Sequence, residues 1–211
     1  MEFIDPQLQA YAEAHTSPEP KVLSDLNRHT QANVLMPRML SGHLQGRFLS
    51  FISHMIRPRR VLEVGTYTGY SAICLAEGLA NDGLVITIDN NEELTRTVTT
   101  AIASAGLECS IKCMIGNAQE IIPSLHEKFD LVFIDADKEN YSLYFEMVID
   151  KVHSGGFILA DNVLWSGKVL QPKPDKDTQG ILAFNAKVQA DDRVENVLLP
   201  VRDGIMIIRK K

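Results

Sequence analysis

Cysteine is scarce. Cys74, Cys109 and Cys113 are the only three in 211 residues, an odd number without a C-x-x-C pair, which excludes an even disulfide framework and the usual zinc spacing. Reduced thiols and a cytoplasmic location are the expectation. No apolar run approaches the roughly 20 residues of a membrane-spanning helix, so no membrane partner is expected. The start, Met1-Glu2-Phe3-Ile4-Asp5-Pro6, lacks the basic residues and apolar stretch of a secretory leader. Positive charge is in deficit as well: 21 Lys and Arg against 27 Asp and Glu leave a formal charge of −6. That balance speaks against a protein built to grip nucleic-acid phosphates, and DNA is not expected as a partner. Repeats and low-complexity segments are absent. What is present is ordinary for a globular chain, with 45% apolar and 23% charged residues, enough to bury a core within one domain.

The pattern along the chain divides that single domain, residues 1–211, into a helical N-terminal extension over about 1–57 and a core over about 58–211. Up to about Thr30 the sequence reads as two short helices, broken at Pro18 and Pro20, with Ser17 or Glu19 near the second start. From Ser41, a plausible N-cap, Leu44, Phe48, Leu49, Phe51, Ile52, Met55 and Ile56 recur at helical spacing until Pro58. Short apolar runs then alternate with helical stretches. The runs are Val61–Val64, Leu84–Ile88, Ser110–Ile115, Phe129–Ile134 and Phe157–Ala160; the helices are Tyr70–Leu79, Glu92–Ser104, Ala118–Leu125 and Tyr141–Val152. Continuous apolar runs mark parallel strands buried on both faces, which predicts a doubly wound α/β sheet. At the end, Val194–Pro200 and Ile205–Arg209 flank the turn signal Val201-Arg202-Asp203-Gly204, a closing antiparallel hairpin. Trp165–Thr178 (WSGKVLQPKPDKDT) has no periodicity and reads either as a lid or as a mobile surface insertion.

Polar residues collect where the strands end. Glu63 and Gly65 follow the first, Asp89 the second, Gly116-Asn117-Ala118 the third, Asp135 and Asp137 the fourth, and Asp161-Asn162 the fifth. Ligands of open α/β sheets bind beyond the carboxyl ends of the strands, so a site is expected there. The first turn, Glu63-Val64-Gly65-Thr66-Tyr67-Thr68-Gly69, carries Tyr67 where the dinucleotide pattern G-x-G-x-x-G has its second glycine. A nucleoside without a diphosphate fits better. Asp89 suits the two ribose hydroxyls, or else caps the following helix with Asn90.

If the fourth and fifth strands are neighbours, Asp135, Asp161 and Asn162 converge. Two carboxylates and an amide oxygen suit Mg²⁺ or Mn²⁺ better than zinc or copper. The alternative is an Asx turn at Asp161-Asn162 and a helix cap at Asp135. Lys138, three residues beyond Asp135, is either a solvated charge or an amine near the same point. A neighbouring cation would lower its pKa and make it a usable base. The six histidines show no H-x-x-x-H pair, and G-x-S-x-G is absent.

VLEVGTYTGYSA, Asp89, GNAQEIIP, FDLVFIDADKENY and LADNVLWSGKV together resemble the cation-dependent O-methyltransferases of the catechol and caffeoyl-CoA type, from about Phe3 to the closing LPVRDGIMIIRKK. The resemblance implies a Rossmann-like, mostly parallel seven-stranded sheet with the antiparallel hairpin at its end. It implies an S-adenosylmethionine site at Ser41, Glu63, Gly65, Thr66, Ser71, Asp89, Ala118 and Asp135. It implies a metal site at Asp135, Asp161 and Asn162 for Mg or Mn, with Ca able to stand in within crystals. Lys138 falls on the catalytic lysine, and Lys138, Asn162, Trp165 and Asp203 fall on the substrate side. A homodimer with N-terminal helices in its interface is implied too. The N-terminal substrate lysine of the plant enzymes has no clear counterpart here, which points away from a CoA-thioester acceptor.

The expected reaction is methyl transfer from S-adenosylmethionine to a hydroxyl of a vicinal dihydroxyaromatic, a small phenolic substrate, with metal assistance. The alternatives are methylation of a hydroxylated uridine in tRNA, with Lys168, Lys173 and Lys176 on phosphates, and a cofactor-binding module without catalysis. A dinucleotide oxidoreductase is disfavoured by Tyr67.

Overall fold

The computed structural model describes residues 5–211; the leaderless start read at Met1–Ile4 lies outside the described residues. Seven strands form a mixed α/β sheet with helices between them, the fold class expected. The chain divides into two compact units, Gln7–Ala118 and Gln119–Lys211, the latter joined by Asp5 and Pro6.

The first unit opens with three helices, α1 (Pro6–Ala14), α2 (Lys21–Asn33) and α3 (Gly42–Ile56). Pro20 stands at the N-cap of α2, three residues beyond Ser17 and one beyond Glu19, the two expected starts. Arg57 ends α3 in the left-handed region and Pro58 prevents resumption. Then come β1 (Arg60–Val64), α4 (Tyr70–Ala76), β2 (Leu84–Asp89), α5 (Thr95–Ser104) and β3 (Ile111–Ile115). The strands pair in parallel in the order β3-β2-β1, with Val64 level with Ile88 and Asp89 level with Ile115. Val61, Leu62, Val85 and Ile86 are wholly buried, and each such side chain contributes about 1.5–3 kcal/mol. That burial explains why the strands read as unbroken apolar runs.

The second unit holds α6 (Ala118–Ser124), β4 (Phe129–Ile134), α7 (Tyr141–Ile149), β5 (Val152–Asp161), α8 (Lys176–Gln189), β6 (Val194–Leu199) and β7 (Ile205–Lys210). Its strand order is β4-β5-β7-β6: β4 and β5 run parallel, while β7 is antiparallel to both β5 and β6. The closing hairpin is therefore as expected. Helix α7 ends at Ile149 rather than Val152, and two larger differences from the sequence reading follow it. The fifth strand starts at Val152 rather than Phe157, because its pairing with β4 shifts between Phe129 and Leu131 and Gly155 takes φ +80°. A bulge of this kind leaves polar and glycine residues inside a strand, where they look like a turn. Beyond Trp165–Leu170, a kinked 3-10 segment, the expected featureless stretch becomes α8 at Lys176, capped by Asp175, which accepts from the Thr178 N–H at 2.9 Å. The signal for α8 lay in Asp175-x-x-Thr178 followed by Ile181, Phe184 and Val188, all buried on one face.

Two close backbone approaches shape the units from within. In the first, a Cβ at Gly78 would overlap the His54 nitrogen and the Ser53 carbonyl carbon of α3. In the second, a Cβ at Gly180 would lie 2.5 Å from the Lys138 carbonyl oxygen. Gly78→Ala must push α3 away, so it should cost about 1–3 kcal/mol, read as a lower urea midpoint with an unchanged m-value.

Candidate active site

The first unit gathers one set of the expected residues at the C-terminal ends of β1 and β2. After β1 the chain turns sharply: Gly65 (φ +103°) and Gly69 (φ +88°) use the left-handed backbone open to glycine, and Tyr67 (φ +48°) adopts it as well. Gly65 N–H donates to the Ile88 carbonyl at 2.9 Å, holding the turn against β2. Asp89 completes the tie, since its Oδ2 accepts from the Tyr67 N–H at 2.8 Å and its Oδ1 from the Asn91 N–H at 2.9 Å. Each carboxylate oxygen keeps a further lone pair for an incoming hydroxyl. Asn91 rather than Asp89 caps the following 3-10 turn, accepting from the Glu93 N–H at 3.0 Å. The Tyr67 hydroxyl reaches back to the carbonyls of Leu35 (3.0 Å) and Met36 (3.3 Å), and burial raises its pKa.

Glu63 is wholly buried, and its Oε2 accepts from the Thr87 hydroxyl, which in turn shares a hydrogen bond with the Thr66 hydroxyl. Glu63, Thr66, Gly65 and Asp89 are thus parts of one bonded turn. Ser71 is buried in the first turn of α4 and Ala118 at the start of α6. Ser41 is a correction. It precedes α3 but has helical φ/ψ and makes no side-chain cap bond, so its hydroxyl is not spent on the helix. A helical backbone at that position aims the side chain away from the free N–H groups that a cap must reach.

The second unit gathers the other set. β4 and β5 are neighbours, and Ile134 is level with Ala160, so the next residues, Asp135 and Asp161, leave the two strands side by side. Asp161 is almost fully buried, and its Oδ1 accepts from the Asn162 N–H at 2.8 Å. A bond to the next residue's N–H falls one residue short of the Asx turn of the alternative reading, which reaches the N–H two residues on. Asn162 itself takes φ +58°, a conformation Asn tolerates at modest cost. Among the described residues no group of three or more His, Cys, Asp and Glu is arranged to hold a metal ion. Any cation here depends on the Asn162 carbonyl as the third donor, and a set of two carboxylates and one amide is chemically suited to a hard cation.

Lys138 is 7% exposed. Its Nζ donates to Asp135 Oδ1 at 2.9 Å and to the Tyr141 hydroxyl at 2.6 Å, and lies 5.6 Å from the centre of the Trp165 ring. It is not a solvated surface charge. Burial pulls its pKa down, but Asp135 and Tyr141 more than offset that, so in the protein alone the ammonium form is favoured. The expected depression by a cation is thus opposed by the protein's own groups. The Tyr141 hydroxyl, wholly buried, donates in turn to the Asp161 carbonyl at 3.0 Å.

The segment after β5 is pinned to the β6–β7 turn. Val163 and Leu164 N–H groups donate to the carbonyls of Gly204 (3.1 Å) and Asp203 (2.9 Å). Asp203 Oδ1 accepts from the Ser166 N–H, and burial raises the pKa of its carboxyl. Trp165, at φ +46°, has a buried indole N–H without a partner among the described residues. Asp135, Lys138, Asp161, Asn162, Trp165 and Asp203 are therefore linked through contacts in one unit. Sequence reasoning missed Tyr141, whose signal was its place three residues after Lys138 in DKENY.

Two of the loop lysines are engaged. Lys168 pairs with Asp175 at 3.0 Å and Lys176 with Glu139. The Thr178 hydroxyl first, then the Thr178 N–H and Lys168, pull the Asp175 pKa from 3.8 to about 2. A carboxyl with a depressed folded pKa stabilises above its unfolded value, and that contribution is lost as pH falls through the folded value. Asp175→Ala should therefore lower Tm at pH 7, and the deficit should shrink below about pH 4 and vanish near pH 2, read by thermal melts across that range.

A family profile described as O-methyltransferase matches residues 13–211. The chain is 33% identical over 206 residues to caffeoyl-CoA O-methyltransferase 5 of Nicotiana tabacum, covering 91% of this chain and 85% of that protein. Among solved structures, the Bacillus cereus O-methyltransferase in complex with SAH is 30% identical at a TM-score of 0.91, over 97% of each chain. TomG of Streptomyces achromogenes, an O-methyltransferase involved in tomaymycin synthesis and solved with SAM, is 26% identical at a TM-score of 0.91, over 97% of this chain and 96% of that one.

Proposed function

The chain belongs to the O-methyltransferase family and is an S-adenosylmethionine-dependent O-methyltransferase of Rossmann-like fold; on that premise we propose that it methylates one hydroxyl of a vicinal dihydroxyaromatic small molecule, with a divalent cation at Asp135, Asp161 and Asn162. The observation that carries this reading is the level register of β4 and β5, which sets Asp135 and Asp161 side by side beside a buried amine. Neighbouring phenolic oxygens are the acceptor that a hard-oxygen site of this kind selects.

In this reading the donor is held by the first unit. Gly65 allows the backbone to approach the nucleoside, Asp89 accepts from the ribose hydroxyls, and Glu63 and Thr66 shape the turn. Ser41, Ser71 and Ala118 complete the donor contacts within that unit. On the acceptor side, a bound cation supplies Lewis-acid polarisation that lowers the pKa of the reacting hydroxyl. Asn162, Trp165 and Asp203 line the acceptor, with the unpartnered Trp165 N–H free to donate to it. Lys138 or solvent takes the hydroxyl proton. Because Asp135 and Tyr141 favour the ammonium, the amine serves as base only after giving up its own proton to solvent. The phenolic oxygen then forms its bond to the methyl carbon as the sulfur–methyl bond breaks, leaving S-adenosylhomocysteine and the methyl ether. Cationic sulfonium and anionic oxygen neutralise each other, so alignment and exclusion of water favour the step.

A tRNA acceptor is not favoured, because Lys168 and Lys176 are spent on Asp175 and Glu139. We read the chain as a single cytoplasmic domain that pairs as a homodimer through its N-terminal helices. Leu8 and Tyr11 on α1 and Phe51 and Met55 on α3 are each at least 60% exposed, a cost that a partner surface would relieve. Sedimentation should then give twice the 23.5 kDa chain mass.

The deciding experiment is labelled-methyl transfer to catechols, hydroxycinnamates and tRNA, with Mg²⁺ or with chelator. Asp161→Ala should lose on the order of 100-fold or more of the metal-stimulated rate, while calorimetry finds S-adenosylmethionine bound as before. Full turnover of that variant in chelator would sink the mechanism.

A further inference from the structure

The least explained polar group in the second unit is the Tyr141 hydroxyl. It is wholly buried at the first residue of α7, a place where a phenylalanine would pack equally well against Phe184, whose ring stands edge-on at 5.5 Å. A buried hydroxyl is costly unless its hydrogen bonds are specific. Here it accepts from Lys138 Nζ at 2.6 Å and donates to the Asp161 carbonyl at 3.0 Å, with the Ile134 carbonyl at 3.4 Å. Those carbonyls belong to the last residue of β5 and the last residue of β4. One oxygen thus touches both strand ends that present the acidic pair and the amine between them.

A lysine side chain has four rotatable carbons, and an ion pair to one carboxylate oxygen does not by itself select a rotamer. Two donors from one ammonium to fixed acceptors do. Asp135 and Tyr141 supply those acceptors from opposite ends of the 3-10 turn Lys138–Asn140. Of the two, only Tyr141 is held by backbone that the sheet itself has positioned.

We propose that Tyr141 is a positioning residue for the methyl transfer: its hydroxyl, anchored on the Asp161 carbonyl at the end of β5, fixes where the Lys138 amine stands. The proposal rests on the reading of Lys138 as the acceptor-side proton carrier. It assigns Tyr141 no contact with substrate and no proton transfer of its own. The amine stays over the Trp165 ring because the strut holds it there, and Trp165 is the only tryptophan in the chain. Lys168 Nζ also lies 5.6 Å from that ring, so its fluorescence reports the Lys138 amine by difference from Lys138→Met, in which Lys168 is unchanged.

The test compares wild type, Tyr141→Phe, Lys138→Met and the double variant. Kinetics are followed with Mg²⁺ and a catechol acceptor, and tryptophan emission in the metal-free protein. Tyr141→Phe should lower kcat at least tenfold with the KM for S-adenosylmethionine unchanged, and should move the emission maximum toward that of Lys138→Met. The double variant should be no slower than Lys138→Met alone, because a strut has no effect once the group it holds is gone. Losses that multiply, or wild-type kcat and emission in Tyr141→Phe, overturn the proposal. If Lys138→Met keeps full kcat, the assignment of Lys138 falls instead, and the emission of Tyr141→Phe still decides whether the hydroxyl places the amine. Phe184→Leu, which loosens the ring without removing its oxygen, is the second variant should Tyr141→Phe melt too low; a smaller loss of kcat and an emission shift of the same sign support the strut, and an unchanged kcat and emission count against it.

Discussion

A buried ammonium ion organises the second unit. Lys138 is out of water, a situation that is unfavourable by several kcal/mol unless the charge is paired and fully hydrogen-bonded. Asp135 supplies the charge and one acceptor, and Tyr141 a second acceptor for the ammonium's three donors, so the amine requires both the end of β4 and the start of α7 to be where they are. The parallel register of β4 and β5 meets that requirement, because it brings Asp161 alongside Asp135 and gives the Tyr141 hydroxyl a carbonyl to rest on. Removing any one member leaves another buried polar group without its partner. This mutual dependence is why the arrangement is a better guide to chemistry than any one of its residues.

The first unit meets a different constraint, a sharp turn at the carboxyl ends of β1 and β2. Its answer is backbone rather than side chain. The turn after β1 runs through left-handed conformations at Gly65, Tyr67 and Gly69, and Asp89 ties it down through the Tyr67 N–H. A tyrosine in that conformation carries strain that a glycine would not. Its hydroxyl, bonded to the carbonyls of Leu35 and Met36, fastens the turn to the segment ahead of α3. The same residue that breaks the dinucleotide pattern thus makes the turn rigid.

Much of this was legible from residue order alone. The β strands buried on both faces announce themselves as apolar runs, and the carboxylates at their ends announce the site, because both signals are local. What was not legible depended on partners distant in sequence. Ser41 looked like a cap until its backbone proved helical. Lys138 looked like a residue whose pKa a cation alone would govern, yet Tyr141 and Asp135 favour its charged form. The first half of β5 fell outside the apolar run at Phe157–Ala160 because the bulge there uses polar and glycine residues. α8 was lost behind the prolines and charges that precede it, although its cap and apolar face were in plain view. Tyr141 was passed over as a core aromatic, which its ring is; only its oxygen sets it apart.

The contact at Gly180 has a bearing on how far the segment after β5 can change. The second turn of α8 lies directly on the Lys138 carbonyl, with no room for even a methyl group. The kinked stretch Trp165–Leu170 and the residues up to Asp175 lead straight into that helix. The stretch can be rebuilt only so far as α8 keeps its seat; a change that lifts the helix also releases the backbone at Lys138. The make-up of the segment ahead of α8 and the placement of Lys138 are therefore coupled through a hydrogen atom's width at one position.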